Sequence, residues 1–418
     1  MANPASDLDL SLCLLMDPEI LADPYPLYRR LRAEDPVHWD PFLHAWVVTR
    51  YADVIAVLHK FSADRLWTPE ELNANGLAQL TPIRNVMVRQ MLFMDPPSHT
   101  LLRGLAATAF SPSRVAALRD RIQAIADRLI DAVAGRSGMD LVTDFANPLP
   151  AIITAEMLGV PVEHHAQLRA WSTDFAEIFG NFHHNPIRVA EVLRSVEDMI
   201  EYFRAAVREQ EKFPREGLIH SLLSAEVDGK RLSEEDVIST SIITMIGGQE
   251  TTTNLIGSGM LTLLQHPRQL EQLRSDPSLI PSAVEELLRY ESPIQHTARV
   301  APYDVEIGGK KILKGQSVMA VMAAGNRDPE RFPDPDKLDL TRTDNRHLAF
   351  GWAAHFCFGA PLARMEAQIA FETLLRRLPA LILEDGPTRW RHNLGLRGLT
   401  CLPVRFQDTF VAAADAMQ

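Results

Sequence analysis

The chemistry this 418-residue sequence could perform starts from one cysteine placed just ahead of a helix. In the segment FGWAAHFCFGAPLAR, running from Phe350 to Arg364, Cys357 follows a Phe-Gly turn and precedes the helical run APLARMEAQIAFETLLRRL. Pro361 suits the first turn of that helix, where an N–H has no partner to lose. A thiolate at this point lies near the positive end of the helix dipole and near free backbone N–H groups. That setting lowers a cysteine pKa and favours a metal-bound sulfur, and Gly359 leaves room for N–H groups to approach it. A lone cysteine is otherwise an inert, buried small hydrophobe. A single thiolate held this way suits the axial position of haem iron.

A second group of residues falls inside a long helical pattern. Ser233 and Asp236 form a capping box, and the pattern runs to His266, where Pro267 stops it. At about 1.5 Å per residue the helix spans about 50 Å. It is apolar around much of its middle, which marks it as buried. Gly247 and Gly248 interrupt that middle, each costing about 1 kcal/mol relative to alanine, so space or a distortion is needed there. Glu250 and Thr251 follow directly. Read by themselves they are a glutamate in an ion pair and a threonine bonding back to the preceding turn.

Two further pairs have helical spacing. Glu286 and Arg289 sit three apart on one face, a spacing common in solvated surface bridges. His99 and Arg103 sit four apart, as exposed polar residues of an amphipathic helix would. The adjacent His183 and His184 have no accompanying ligand pattern and read as solvated loop residues.

These residues need a large scaffold, and the composition provides for one: 46% of residues are hydrophobic. The net charge of −12 argues against a nucleic-acid surface. Three scattered cysteines, Cys13, Cys357 and Cys401, make no disulfide framework and fit a reducing compartment. The start has no signal-peptide pattern, and no apolar run reaches the roughly 20 residues that span a bilayer. The expectation is a cytoplasmic protein without a membrane anchor, one domain over residues 1–418. Periodicity predicts mainly α structure with a minor β-sheet region. Strands are expected in VHWD, AWVVTR, DVEIGG, KKILKG, QSVMAVM, ALILED and LTCLPVRF, and irregular, turn-rich chain over residues 65–97.

Phe350, Gly351, His355, Cys357, Gly359, Leu362, Ala363 and Arg364 together resemble the haem-binding signature of the cytochrome P450 family. The resemblance extends from the Asp-Pro-Tyr-Pro-Leu opening to the Leu-Pro-Val-Arg-Phe ending. One position departs: Ala353 stands where family members usually have a glycine that permits a special backbone conformation. The resemblance implies the P450 fold, with haem b (iron protoporphyrin IX) sandwiched between the long central helix and the cysteine-bearing helix. It implies Cys357 as iron ligand, with Phe350 and Gly359 in the same cofactor-binding loop. His99, Arg103, Arg299 and His355 become partners of the haem propionates. Glu250 and Thr251 become the acid–alcohol pair that feeds protons to bound oxygen. Glu286 and Arg289 become the Glu-x-x-Arg element, with Arg342 as its third member and Arg331 as the runner-up.

The same resemblance implies a monooxygenase inserting one atom of O₂ into a hydrophobic small molecule. Its pocket would be lined by Met87, Met91, Phe179, Ile243, Ile246, Gly247, Ile294, His296 and Leu396. Electrons would come from a ferredoxin or flavodoxin with its reductase, since no reductase segment follows residue 410, and the enzyme would be a bacterial monomer. Two alternatives are a peroxide-driven peroxygenase of the same fold and a non-catalytic haem sensor or carrier. Peroxygenase members tend to replace the acid–threonine pair with Arg-Pro, whereas this chain keeps Glu250-Thr251, and a carrier has no need of the pair.

Overall fold

A computed structural model describes residues 10–107, 110–179, 186–227 and 229–406. His183 and His184 lie outside the described residues. By packing, the chain forms two compact units, each built from separated stretches of sequence.

The first unit takes residues up to Phe61, Leu118–Leu149, and Thr251 onward. Its main sheet has four strands in the order Val37–Asp40, Ala45–Val48, Ser317–Ala320, Thr297–Val300. The middle pair is parallel and the outer pairs antiparallel. The pairs Val37↔Val48 and Val47↔Met319 put apolar side chains into the ladder. Tyr51–Lys60 forms a helix whose Val54, Val57 and Leu58 pack with Val48, Val318, Ala320, Phe332 and Leu348. A smaller sheet joins Ile382–Leu383, Pro403–Arg405 and Gly138–Asp140. A Cβ on Gly138 would sit 2.6 Å from the Val404 carbonyl oxygen, so only glycine lets these strands close.

The cysteine-bearing helix, Ala360–Arg377, packs on Arg119–Asp131 in this unit. The buried Arg377 guanidinium reaches Asp127 at 2.9 Å and Asp131 at 2.6 Å, and Gln123 donates to Asp127 and Thr373. Such a charge is tolerated away from water only because two carboxylates face it.

The second unit takes Ser62–Ala117 and Pro150–Glu250. Its framework is His165–Ala176 packed along the 27-residue helix Pro186–Lys212. Residues 65–97 are more regular than the turn-rich composition suggests, since Pro69–Ala74 and Thr81–Met87 are short helices. The reason is capping. Thr68 accepts from the Glu71 N–H while the Glu71 carboxylate accepts from the Thr68 N–H, and prolines stand in both first turns.

The long helix Glu234–Gln265 runs from the second unit into the first. Ser233 caps it as the spacing predicts, with Asp236 N–H on its hydroxyl and its own N–H on the Asp236 carboxylate. It ends before Pro267, where His266 Nδ1 lies 2.7 Å from the Thr262 carbonyl oxygen.

Candidate active site

The cysteine loop is closed by its own backbone. The Cys357 N–H donates to the Phe350 carbonyl at 2.8 Å, and Gly351 N–H to Leu348 at 2.8 Å. Two residues between them turn with positive φ, Gly351 at 72° and Ala353 at 55°. Ala353 therefore holds the left-handed conformation for which the usual glycine is suited, at a cost of about 1–2 kcal/mol for a residue with a Cβ. Ala353–His355 is a single 3-10 turn, and the Phe356 N–H returns to the Ala353 carbonyl at 3.1 Å. Cys357 is half-buried, unlike an inert core cysteine. A Cβ on Gly359 would lie 3.8 Å from the Cys357 sulfur.

Two ion clusters stand behind this loop. Glu286 and Arg289 have no exposed side-chain surface, and their two parallel contacts measure 2.7 Å each. Glu286 also takes Asp339 N–H at 3.0 Å, Asn345 Nδ2 at 3.1 Å and the Arg342 guanidinium at 3.3 Å. Arg289 spends its remaining donors on the carbonyls of Asn326, Pro335 and Lys337. Arg342 thus faces Glu286, whereas Arg331 pairs with Asp344. Neighbouring Glu285 forms the second cluster. Burial works to raise its pKa, but Arg364 and His347 outweigh it and bring the pKa down to about 2. Arg364 grips it at 2.7 and 2.8 Å from within the signature itself, and lies 4.5 Å over the Phe350 ring.

On the central helix, Ile243, Gly247 and Thr251 keep accessible surface while Ile242, Met245, Ile246, Gln249 and Glu250 are buried. Spacings of four place the first three on one stripe of the helix. The two glycines have different reasons. A Cβ on Gly247 would meet nothing within 4 Å, so its side faces open space. A Cβ on Gly248 would come 2.9 Å from Thr154 Oγ1, so there the neighbouring helix demands glycine. Glu250 is 3% exposed, and its carboxylate accepts from Thr173 Oγ1 at 2.8 Å. Thr253 donates to the Ala146 carbonyl at 3.0 Å, so it serves packing.

The remaining expected residues occupy defined positions. His99 is buried and Arg103 half-buried, four apart on the helix Ser98–Ala107. Arg299, 3% exposed, sits on the strand Thr297–Val300 and donates to Thr297 Oγ1 and the Ala298 carbonyl. Ile294 and Leu396 form an isolated β-bridge, which Gln295 N–H to Gly395 and Arg397 N–H to Pro293 extend. His296 lies beside that bridge against the Leu394 backbone. Burial pulls its pKa down to about 4 against the opposing pull of that backbone hydrogen bond, so the ring is neutral near pH 7. Met87 and Met91 are buried, and Phe179 closes the turn Glu177–Phe179.

Thr173, Glu285, Asn345 and His347 join these clusters without having stood out in the sequence. Glu285 had a signal, because it adjoins Glu286 and the signature carries Arg364. Thr173 had none, as its partner lies 77 residues away.

The donor set fits a haem. A half-accessible thiol stands at a helix start in a loop of left-handed turns, and the central helix turns an accessible stripe toward open space at Gly247. The family profile of cytochrome P450 matches residues 41–407. The chain belongs to the cytochrome P450 family. This P450 is 40% identical over 400 residues to the cytochrome P450 monooxygenase PikC of Streptomyces venezuelae, covering 93% of this chain and 92% of PikC. The crystal structure of P450BioI, in complex with an acyl carrier protein ligated to hexadec-9Z-enoic acid, superposes with a TM-score of 0.86 at 38% identity. That match covers 93% of this chain and all of the other. The myxobacterial CYP267B1, solved with myristic acid, also gives 0.86, at 40% identity over 94% of this chain and 98% of that one. P450s bind haem b, and this chain is accordingly a haem-thiolate monooxygenase that inserts one atom of O₂ into a hydrophobic small molecule.

Proposed function

We propose that Cys357 supplies the thiolate ligand and that Glu250 and Thr251 carry protons to the oxygen-binding face. The carrying observation is the loop itself: a half-buried thiol held by Cys357 N–H to Phe350, between left-handed turns and a helix start. Haem bound there supplies the activation of O₂ and the transfer of one oxygen atom. The protein's part is binding, orientation and proton supply. Backbone N–H groups and the helix N-terminus stabilise negative charge on the sulfur. His99, Arg103, Arg299 and His355 are the donors chemically suited to the two propionates. On this reading Thr251, a partly accessible residue of the central helix, donates its hydroxyl proton to a bound ligand, and the buried Glu250 replaces the proton it gives. Both units serve one P450 domain on this reading, supported by a family match that runs through both.

The substrate we infer is a long, mostly hydrocarbon molecule, with a fatty acyl chain as the first choice. Of the residues expected to line the pocket, Met87, Met91, Ile243, Ile294 and Leu396 are apolar in type, and His296 is neutral near pH 7. The acyl ligands of the two similar solved structures favour the same class. Among the described residues no helix is long and apolar enough to cross a membrane. With three cysteines and no disulfide among the described residues, a reducing bacterial cytoplasm is the natural setting, with a separate ferredoxin or flavodoxin as electron donor.

The test is spectroscopic. The reduced protein under carbon monoxide should absorb near the thiolate position of roughly 450 nm, and Cys357→His should move the band to the imidazole position. A band that ignores the substitution removes Cys357 as ligand. A titration series of straight-chain acids, free and carrier-bound, against steroids then tests the substrate class through the haem spectral shift.

A further inference from the structure

We propose that Thr173 is a positioning and relay residue for proton delivery, the station through which protons from solvent reach Glu250. This rests on the reading of Glu250 as the proton-supplying acid. Glu250 is 3% exposed and does not meet bulk water directly, so a proton it gives up must be replaced through a neighbour. Thr173 Oγ1 donates to its carboxylate at 2.8 Å, from a half-buried position on the helix His165–Ala176.

A hydroxyl suits a relay because it donates and accepts at once. Thr173 can pass its proton to a Glu250 carboxylate oxygen and take another from water on its own oxygen, with no net change of charge at the hydroxyl. A lysine or arginine there would pin the carboxylate by charge and offer no acceptor. The helix that carries Thr173 is also braced by a set of ion pairs. Asp174 is next in sequence, and Glu177 stands one helical turn beyond Thr173, both with partly exposed carboxylates. Arg188 clamps the two, at 2.7 Å to Asp174 and 2.5 Å to Glu177, and Ser195 donates to Asp174. This fork fixes the stretch of helix that carries Thr173, so its hydroxyl is held in register with Glu250.

The experiment compares wild type, Thr173→Val, Thr173→Ser, Glu250→Gln and the Thr173→Val/Glu250→Gln double variant as holoenzymes. Turnover, product per electron pair, the solvent deuterium isotope effect and thermal midpoint are measured on each. Thr173→Val should slow turnover about tenfold, a part of the range general acid–base groups supply, and raise the solvent isotope effect. The spectral affinity for substrate should stay within about twofold, since Val is isosteric with Thr. Thr173→Ser should restore both rate and isotope effect. The double variant should be no slower than Glu250→Gln, and the thermal midpoints should show the same lack of additivity. Several outcomes overturn the proposal. Wild-type turnover in Thr173→Val while Glu250→Gln is slow would do so and leave the Glu250 reading intact. Equal loss in the Ser and Val variants would reduce Thr173 to packing, and fully multiplicative effects would show that the two act apart. Unimpaired Glu250→Gln would instead break the underlying reading.

Discussion

The scaffold behind the cysteine loop and the middle of the central helix are both rich in buried polar groups, and they treat them oppositely. Behind the loop, Glu286 takes Arg289, Arg342, Asn345 and a backbone N–H, while Arg289 fills its donors with three carbonyls. In the central helix, the buried Thr240 and Thr244 hydroxyls and both amide atoms of Gln249 have no hydrogen-bond partner among the described residues. A buried polar group without a partner costs about 1–3 kcal/mol, so the second arrangement is not made for stability. A closed network holds one geometry, as a metal ligand needs. A helix with spare hydroxyls and an accessible stripe keeps room for a ligand and for moving protons. Stability and function should therefore separate by region when each is mutated.

The largest effect on stability is expected at Glu286. Glu286→Ala leaves the Arg289 and Arg342 guanidinium groups facing each other around a lost carboxylate, and breaking such a buried pair costs about 3–5 kcal/mol. Haem retention and the denaturation midpoint should both fall sharply. A variant that unfolds like wild type would mean the network is ornamental and the contrast false.

Thr251→Ala tests the other region. It should cost under about 1 kcal/mol, since Thr251 is only partly buried and the change removes few atoms. Product formed per electron pair should nevertheless fall severalfold, with more peroxide released. Wild-type coupling would show that protons reach oxygen without Thr251.

Glu366 sharpens the comparison because, like the Asn345 Oδ1, it is an exception on the closed side. It is 2% exposed on the cysteine-bearing helix, and its Oε2 has no hydrogen-bond partner among the described residues. Burial raises its pKa to about 8 from 4.5. Between those values the unfolded chain ionises this carboxyl while the folded chain keeps it protonated. Its contribution to stability is full below pH about 4.5 and declines as pH rises toward about 8, at up to about 1.4 kcal/mol per pH unit. Glu366→Gln should flatten that decline in urea midpoints measured across the window. An unchanged slope would mean the carboxyl ionises freely in the folded protein.

The smallest effect is at Ala353. With φ at 55°, Ala353→Gly should relieve the left-handed strain and raise stability by up to about 1 kcal/mol. A loss of stability would show that the loop has adapted to alanine through contacts of its Cβ.

Much of this fold is legible in the amino-acid sequence, because the signals are local. Capping at Ser233, Pro267 as a stop and Pro361 at a helix start each act within one or two turns. The seven expected strand segments follow from periodicity, which reports burial on one face. The short helices within residues 65–97 escape such a reading although the Thr68-Pro69-x-Glu71 cap is present, because six or seven residues carry too little period to recognise. The pairings over long separations belong to the tertiary structure. Arg342 reaches Glu286 across 56 positions, Arg364 reaches Glu285 across 79, and Thr173 reaches Glu250 across 77. A sequence states which side chains could pair. Only packing decides which ones meet, since it fixes at once the distance, the exclusion of water and the absence of any better partner.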